Sequence, residues 1–156
     1  MENSHSEERV QALIMRFRQQ YLILPRVAVV EGLPTPGVRP MSVTAPWVLG
    51  SIDWRHHDIP LVSLERYCGW PLVDSVGTRR VAVLQGISGY QGLEHFAIET
   101  QGIPHPIRLG KADVIALDGE LSDSDAVQMH VQAAGVKGVM LSMEQLEQRL
   151  KVTLDN

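Results

Sequence analysis

Trp47-Val48-Leu49-Gly50-Ser51-Ile52-Asp53-Trp54-Arg55-His56-His57-Asp58-Ile59-Pro60-Leu61-Val62-Ser63-Leu64 carries two strand-like runs, 48–54 and 58–64, on either side of a polar tip. Branched and aromatic residues fill both runs, and the charged residues gather between them, so the plain reading is a β-hairpin. Immediately after it, Leu64-Glu65-Arg66-Tyr67-Cys68-Gly69-Trp70-Pro71 reads as a single helical turn stopped by Gly and Pro.

Working upstream, Leu13, Met15 and Phe17 alternate with Ile14, Arg16 and Arg18, which predicts a strand over 12–18. Gln19-Gln20 reads as a tight connection into a second strand, Tyr21-Leu22-Ile23-Leu24. Pro25 marks an edge, a bulge or a break, and the chain resumes as Val27-Ala28-Val29-Val30-Glu31. Gly32 to Pro46 is rich in proline and reads as a stiff loop. Downstream, Asp74 to Thr78 is a polar link, and strands are predicted over 80–85 and 93–99 around a Gly-rich connection at 86–92. A last pair, 126–132 and 136–142, turns at Ala134-Gly135. Ser142 then caps a helix over 142–150, with Gln145 placed for a capping box and Met143, Leu146 and Leu150 on one face. Eight or nine short strands with one helical turn and one late helix predict a mainly β fold of small barrels.

The 156 residues predict one domain, and 44% apolar with 21% charged residues is the composition of a globular chain. Residues 1–8 are expected to be flexible, 9–152 to form the domain and 153–156 to be a tail. A net charge of −4 without a basic stripe argues against nucleic acid as a partner. The polar, acidic start and the lack of a long apolar run predict a cytoplasmic protein that does not insert into membranes. Cys68 is the only cysteine, so neither an internal disulfide nor a cysteine-based zinc site forms within one chain.

Asp53, His56, His57 and Asp58 are the densest polar cluster and the one candidate metal site, although neighbouring histidines on a strand point to opposite faces. His95, His105 and His130 have no ligand spacing. Ser88 lacks a nucleophile elbow, Cys68 sits in an apolar turn where an inert thiol is expected, and 86–92 fits no phosphate-binding template. The sequence therefore predicts no catalytic residues and no cofactor.

Leu24-Pro25, Val29-Val30-Glu31, the proline-rich loop, Gly50-Ser51-Ile52-Asp53-Trp54-Arg55 and Pro60-Leu61-Val62-Ser63-Leu64 together resemble, in order and spacing, the CheW-like family of chemosensory coupling proteins. The likeness is closest over 12–71. Later, Arg80–Leu84, Phe96–Glu99 and Val136–Met143 are similar to the family's later strands, and Gln101-Gly102-Ile103-Pro104 resembles the ChpC-type adaptor of type IV pilus (Chp/Pil) systems. The resemblance implies two small five-stranded β-barrel-like halves and a non-catalytic adaptor that couples methyl-accepting chemoreceptors to the regulatory domain of a CheA-type histidine kinase. Val29, Glu31, Gly50 and Arg55 match family positions associated with receptor or kinase contact.

Independently of the family, Gly50 suits a close turn or a close backbone approach, and Arg55 is a fixed cation able to bind carboxylates bidentately. Two departures stand out: the family's Asn-x-Arg-Gly reads Asp53-Trp54-Arg55-His56, and the usual Asp of the following strand is Ser63. Arg55 has a purely structural reading too, a salt bridge to Asp53 or Asp58 that pins the hairpin. The alternative function is a small metal-binding β-barrel enzyme or sensor using Asp53, His56, His57 and Asp58.

Overall fold

A computed structural model describes residues 10–17, 21–34, 37–43, 45–70, 80–101, 104–110, 114–116, 127–133 and 135–155. The expected flexible N-terminus, the Gln19-Gln20 connection and the 74–78 link lie outside these residues. Eleven strands and two α-helices are described: β1 Val10–Arg16, β2 Tyr21–Pro25, β3 Val29–Pro34, β4 Val48–Trp54, β5 His57–Val62, α1 Leu64–Cys68, β6 Arg80–Gln85, β7 His95–Thr100, β8 His105–Leu109, β9 Val114–Ala116, β10 Val127–Ala133, β11 Val136–Leu141 and α2 Met143–Asp155.

The strands form two sheets. One has the order β8-β1-β2-β11-β10-β9, and the other the order β3-β6-β7-β5-β4. The second sheet is built from one continuous stretch of chain. The first joins the opening hairpin to the closing strands through a parallel contact at Leu22 and Val139. Gly138 lets these backbones meet, since a Cβ there would stand 2.7 Å from the Tyr21 carbonyl oxygen. Two β halves are present as expected, but the first has six strands where five were expected; β8 and the three-residue β9 are the strands not read from sequence, and they are its two edges.

The inner strands of the second sheet, and β2 in the first, bury side chains on both faces, which is why they read as nearly unbroken apolar runs. Ala12, Ile14, Ile23, Leu109 and Val131 fill the inside of the first sheet. Ile52, Trp54, Ile59, Leu61, Val81, Val83 and Ala97 fill the second. The opposite faces meet in a shared layer that includes Met15, Phe17, Leu22, Leu24, Leu84, Phe96, Ile98 and Val139, sealed by Met143, Leu146 and Leu150 of α2.

Local signals set the element ends. β2 stops at Pro25, where a 3-10 turn over Arg26–Ala28 carries the chain across to the second sheet. Ser63 caps α1 by accepting from the Arg66 N–H, and Gly69 closes it at φ 74. Pro60 lies inside β5, but the pairing with β7 runs through Leu61 and Val62, past the point where the N–H is missing. Ser142 Oγ accepts from the Gln145 N–H at 3.2 Å, as the capping pattern predicts, and α2 continues through Asp155.

One polar contact fixes α2 to the second sheet. Glu147 is fully buried, and its carboxylate accepts from the backbone N–H groups of Ile87 at 3.0 Å and Ser88 at 2.9 Å. One turn on, Lys151 Nζ donates to the Gln91 carbonyl at 3.0 Å, so two side chains of α2 hold the Gly-rich connection. Replacing Glu147 by Ala strands both amides and should cost about 2–4 kcal/mol of stability. Replacement by Gln keeps an acceptor and should cost less, and urea unfolding of both variants checks the difference.

Candidate functional site: the seam between β3 and β4

β3 and β4 are the two edges of the second sheet, and the sheet curls far enough for side chains to join them. Trp54 alternates with Ile52 and so points into the sheet's interior, where it is buried. A buried indole N–H needs an acceptor. Trp54 Nε1 donates to Glu31 Oε1 across the seam at 3.0 Å. The same oxygen takes the Arg55 guanidinium at 3.1 Å, and that guanidinium lies 4.5 Å from the centroid of the Trp54 ring. On the other side, the His95 ring of β7 stands 4.8 Å from Trp54. Glu31 therefore answers a buried donor and a surface cation with one oxygen.

Two local distortions aim these side chains. Val29 pairs with Leu84 and Glu31 with Val83, leaving Val30 as the extra residue of a bulge that turns the start of β3. At the other edge, Trp54 pairs with His57, so the hairpin turns on two residues, Arg55 at φ 50 and His56 at φ 68. Such a turn needs positive φ at both positions and favours Gly or Asn. A non-glycine residue in that region costs about 1–2 kcal/mol, which the Arg55 contacts and the strands on either side must offset.

The register also disperses the candidate metal cluster. Asp53 faces Asp58 across the hairpin on one side of the sheet, and His57 faces Trp54 on the other. Asp58 pairs instead with the Arg39 guanidinium. Among the described residues no three His, Cys, Asp or Glu side chains come together in a group that could hold a metal ion. The expected salt bridge from Arg55 to Asp53 or Asp58 is corrected in the same way: the positive φ of the turn directs Arg55 to Glu31, more than twenty residues back in the chain.

Of the four sequence-derived site residues, the structure joins Glu31 to Arg55 directly. Val29 is half-buried against the shared layer, at the start of the same edge strand as Glu31. Gly50 is buried in β4, where a Cβ would stand 2.2 Å from the Arg39 carbonyl oxygen, so of its two sequence readings the close backbone approach is the one realised. Trp54 and His95 are the members that residue patterns did not single out. The alternation from Ile52 to Trp54 was a usable signal for the first, and nothing in the sequence marked the second.

The CheW-like domain model matches residues 11–121, which include the whole seam. The chain belongs to the CheW-like domain family. The scaffolding protein TtCheW from Thermoanaerobacter tengcongensis has a similar fold, with a TM-score of 0.72 at 12% identity over 86% of this chain and 90% of that one. No curated protein sequence matches the chain. The likeness to TtCheW extends to more of the chain than the CheW-like domain model does. No helix among the described residues is long and apolar enough to cross a membrane.

Within this CheW-like fold, Cys68 is buried in the shared layer, and loss of solvation pushes its thiol up from 9.0 to about 12. It is a packed sulfur, as the apolar turn predicted. The native thiol keeps its proton where an unfolded one loses it, so its contribution to stability is intact below pH 9 and declines between 9 and about 12. A thiol reagent at pH 8 should label Cys68 only as fast as the protein opens; labelling at the rate of a free thiol would contradict the burial.

At the seam, Glu31→Ala leaves the Trp54 N–H without its acceptor and should cost about 1–3 kcal/mol. Glu31→Gln retains an acceptor and gives up only an exposed ion pair worth about 0–1 kcal/mol. Chemical denaturation of the two variants side by side checks the ranking.

Proposed function

We propose that this chain is a non-catalytic, cytoplasmic adaptor that couples methyl-accepting chemoreceptors to the regulatory domain of a CheA-type histidine kinase. The kinase domain is read as binding at the rim where β3 and β4 meet, with Glu31 and Arg55 as the charged contacts. Val29 and Gly50 then serve the same rim from beneath, one by packing and the other by admitting a neighbouring backbone. The observation that carries this reading is the Glu31–Arg55 pair in a chain of the CheW-like family. Two residues at family contact positions, one on the edge strand β3 and one in the turn after β4, stand together at the rim, and sheet edges and their rims are surfaces by which β proteins recognise partners.

The finer reading is a ChpC-type adaptor of a type IV pilus system with twitching motility as its output, and it rests on Gln101-Gly102-Ile103-Pro104. Interfaces of such adaptors are expected to be modest and reversible.

Co-purification with a CheA-type regulatory domain tests the central claim. Arg55→Glu should weaken binding by about tenfold or more, because a buried or rim cation turned into an acid repels where it attracted. Its melting temperature should fall by no more than about 4 °C, since the ion pair is exposed. Arg55→Ala leaves the Glu31–Trp54 hydrogen bond across the seam in place, so it separates direct contact from simple seam closure. Binding lost in that variant at a wild-type melting temperature supports direct contact, and binding retained by it assigns the pair to closure alone. Folded wild-type protein that binds no kinase domain would overturn the proposal.

A further inference from the structure

Pro25 ends β2, and the residue after it begins the turn that leaves for the second sheet. The register of the opening hairpin sets Ala12 against Pro25, so Arg26 comes level with Gln11 one step further along. On its other side, Gln11 pairs with Arg108 of β8. Arg26, Gln11 and Arg108 thus stand in one row across three neighbouring segments, with the two arginine backbones about 10 Å apart, twice the strand spacing. Gln11 alternates with the inward Ala12, which puts the row on the opposite face of the sheet. That row lines a cavity of about 450 Å³, and Pro106 and Ile107 of β8 complete its described wall. The volume falls within the range of small-ligand sites, about 300–1,000 Å³.

The chain carries a net charge of −4, yet among the described residues no acid lines this cavity. The described ion pairs engage Arg39, Arg55 and Lys151, and leave Arg26 and Arg108 without a carboxylate. Two cations held near each other with no counter-charge repel, and a bound anion replaces that repulsion by attraction to both. Guanidinium forks take carboxylate or phosphate oxygens in pairs. Two full positive charges with a third donor between them fit a dianion with three acceptor oxygens better than a single carboxylate. We propose that this cavity binds small phosphate monoesters. Arg26 and Arg108 hold the phosphate from either side, the Gln11 amide donates between them, and the organic part lies against Pro106 and Ile107. A small molecule is favoured over an extended peptide because Pro106 has no N–H for a strand added at the edge of β8. The proposal is independent of the kinase-adaptor reading, since the cavity is on the first sheet and the Glu31–Arg55 seam on the second.

The test titrates the full chain with phenyl phosphate at low salt, followed by calorimetry and by the NMR signals of the Gln11 side-chain amide. Binding should saturate at one site with a Kd of about 1 mM or below, and the Gln11 signals should shift with it. Arg26→Gln and Arg108→Gln should each weaken binding by about tenfold or more. Arg16→Gln removes an exposed arginine of β1 outside the cavity and should leave binding unchanged, which separates a site from general attraction to positive charge. Phenyl sulfate has the same ring and one charge fewer, and should bind about fivefold more weakly or worse. Inorganic phosphate lacks the ring and should bind about threefold more weakly or worse. All three substituted side chains are exposed, so the variants should fold, and unchanged melting temperatures check this. Binding that does not saturate by about 10 mM, or that Arg16→Gln weakens as much as the cavity variants do, would overturn the site. Equal binding of phenyl sulfate would overturn the dianion, and equal binding of inorganic phosphate would overturn the place given to the organic part.

Discussion

Both sheets spend one whole face on a single apolar layer, and that shared burial constrains everything else in the molecule. At about 25 cal/mol per Å² of apolar surface removed from water, a layer holding Phe17, Phe96, Met15, Leu22, Leu24, Leu84 and Ile98 outweighs any polar contact described here. The inner faces hold their own smaller cores. With both faces of the inner strands buried, the rims and edges are where polar chemistry remains. α2 belongs to the same logic: three apolar residues seal the layer, and Glu147 satisfies two amides that sealing would otherwise leave dry.

The seam follows from that economy of burial. A tryptophan in the second sheet's interior supplies packing area together with one N–H, and that donor draws Glu31 across from the opposite edge. Once the carboxylate is there, Arg55 finds an anion and an aromatic face within reach. The exposed ion pair adds little stability in itself. Its value is positional, because a buried hydrogen bond and a strained two-residue turn fix the place of one positive and one negative charge at the rim.

Much of this was legible in the sequence because the relevant signals are local. Ser63 with Gly69, Ser142 with Gln145, and Pro25 mark element ends by their own backbone chemistry, and the 48–62 hairpin shows as two runs about a charged tip. His105–Leu109 did not read as a strand, because its proline and charges belong to an edge that pairs only with β1, where a missing N–H is tolerated. Val114–Ala116 is too short to show a period. The partner of Arg55 was illegible for another reason. Asp53 and Asp58 are near in sequence and Glu31 is distant, so local reasoning favoured the carboxylates that the register turns away. Gly50 read as either a close turn or a close backbone approach, and the backbone that approaches comes from a loop whose path proline content alone does not give.

The parallel join between β2 and β11 also orders events in time. Residues 29 to 100 contain every strand of the second sheet, so that unit is complete once they have emerged. The opening hairpin has no such luck: the Leu22 neighbour in β11 lies more than a hundred residues further along. At ribosomal speeds of about 5–20 residues per second, the wait is roughly 5–20 s. During that interval Met15, Leu22 and Leu24 lack the β11 and α2 residues that later cover them. The last strand and the last helix thus complete the layer that the first hairpin begins.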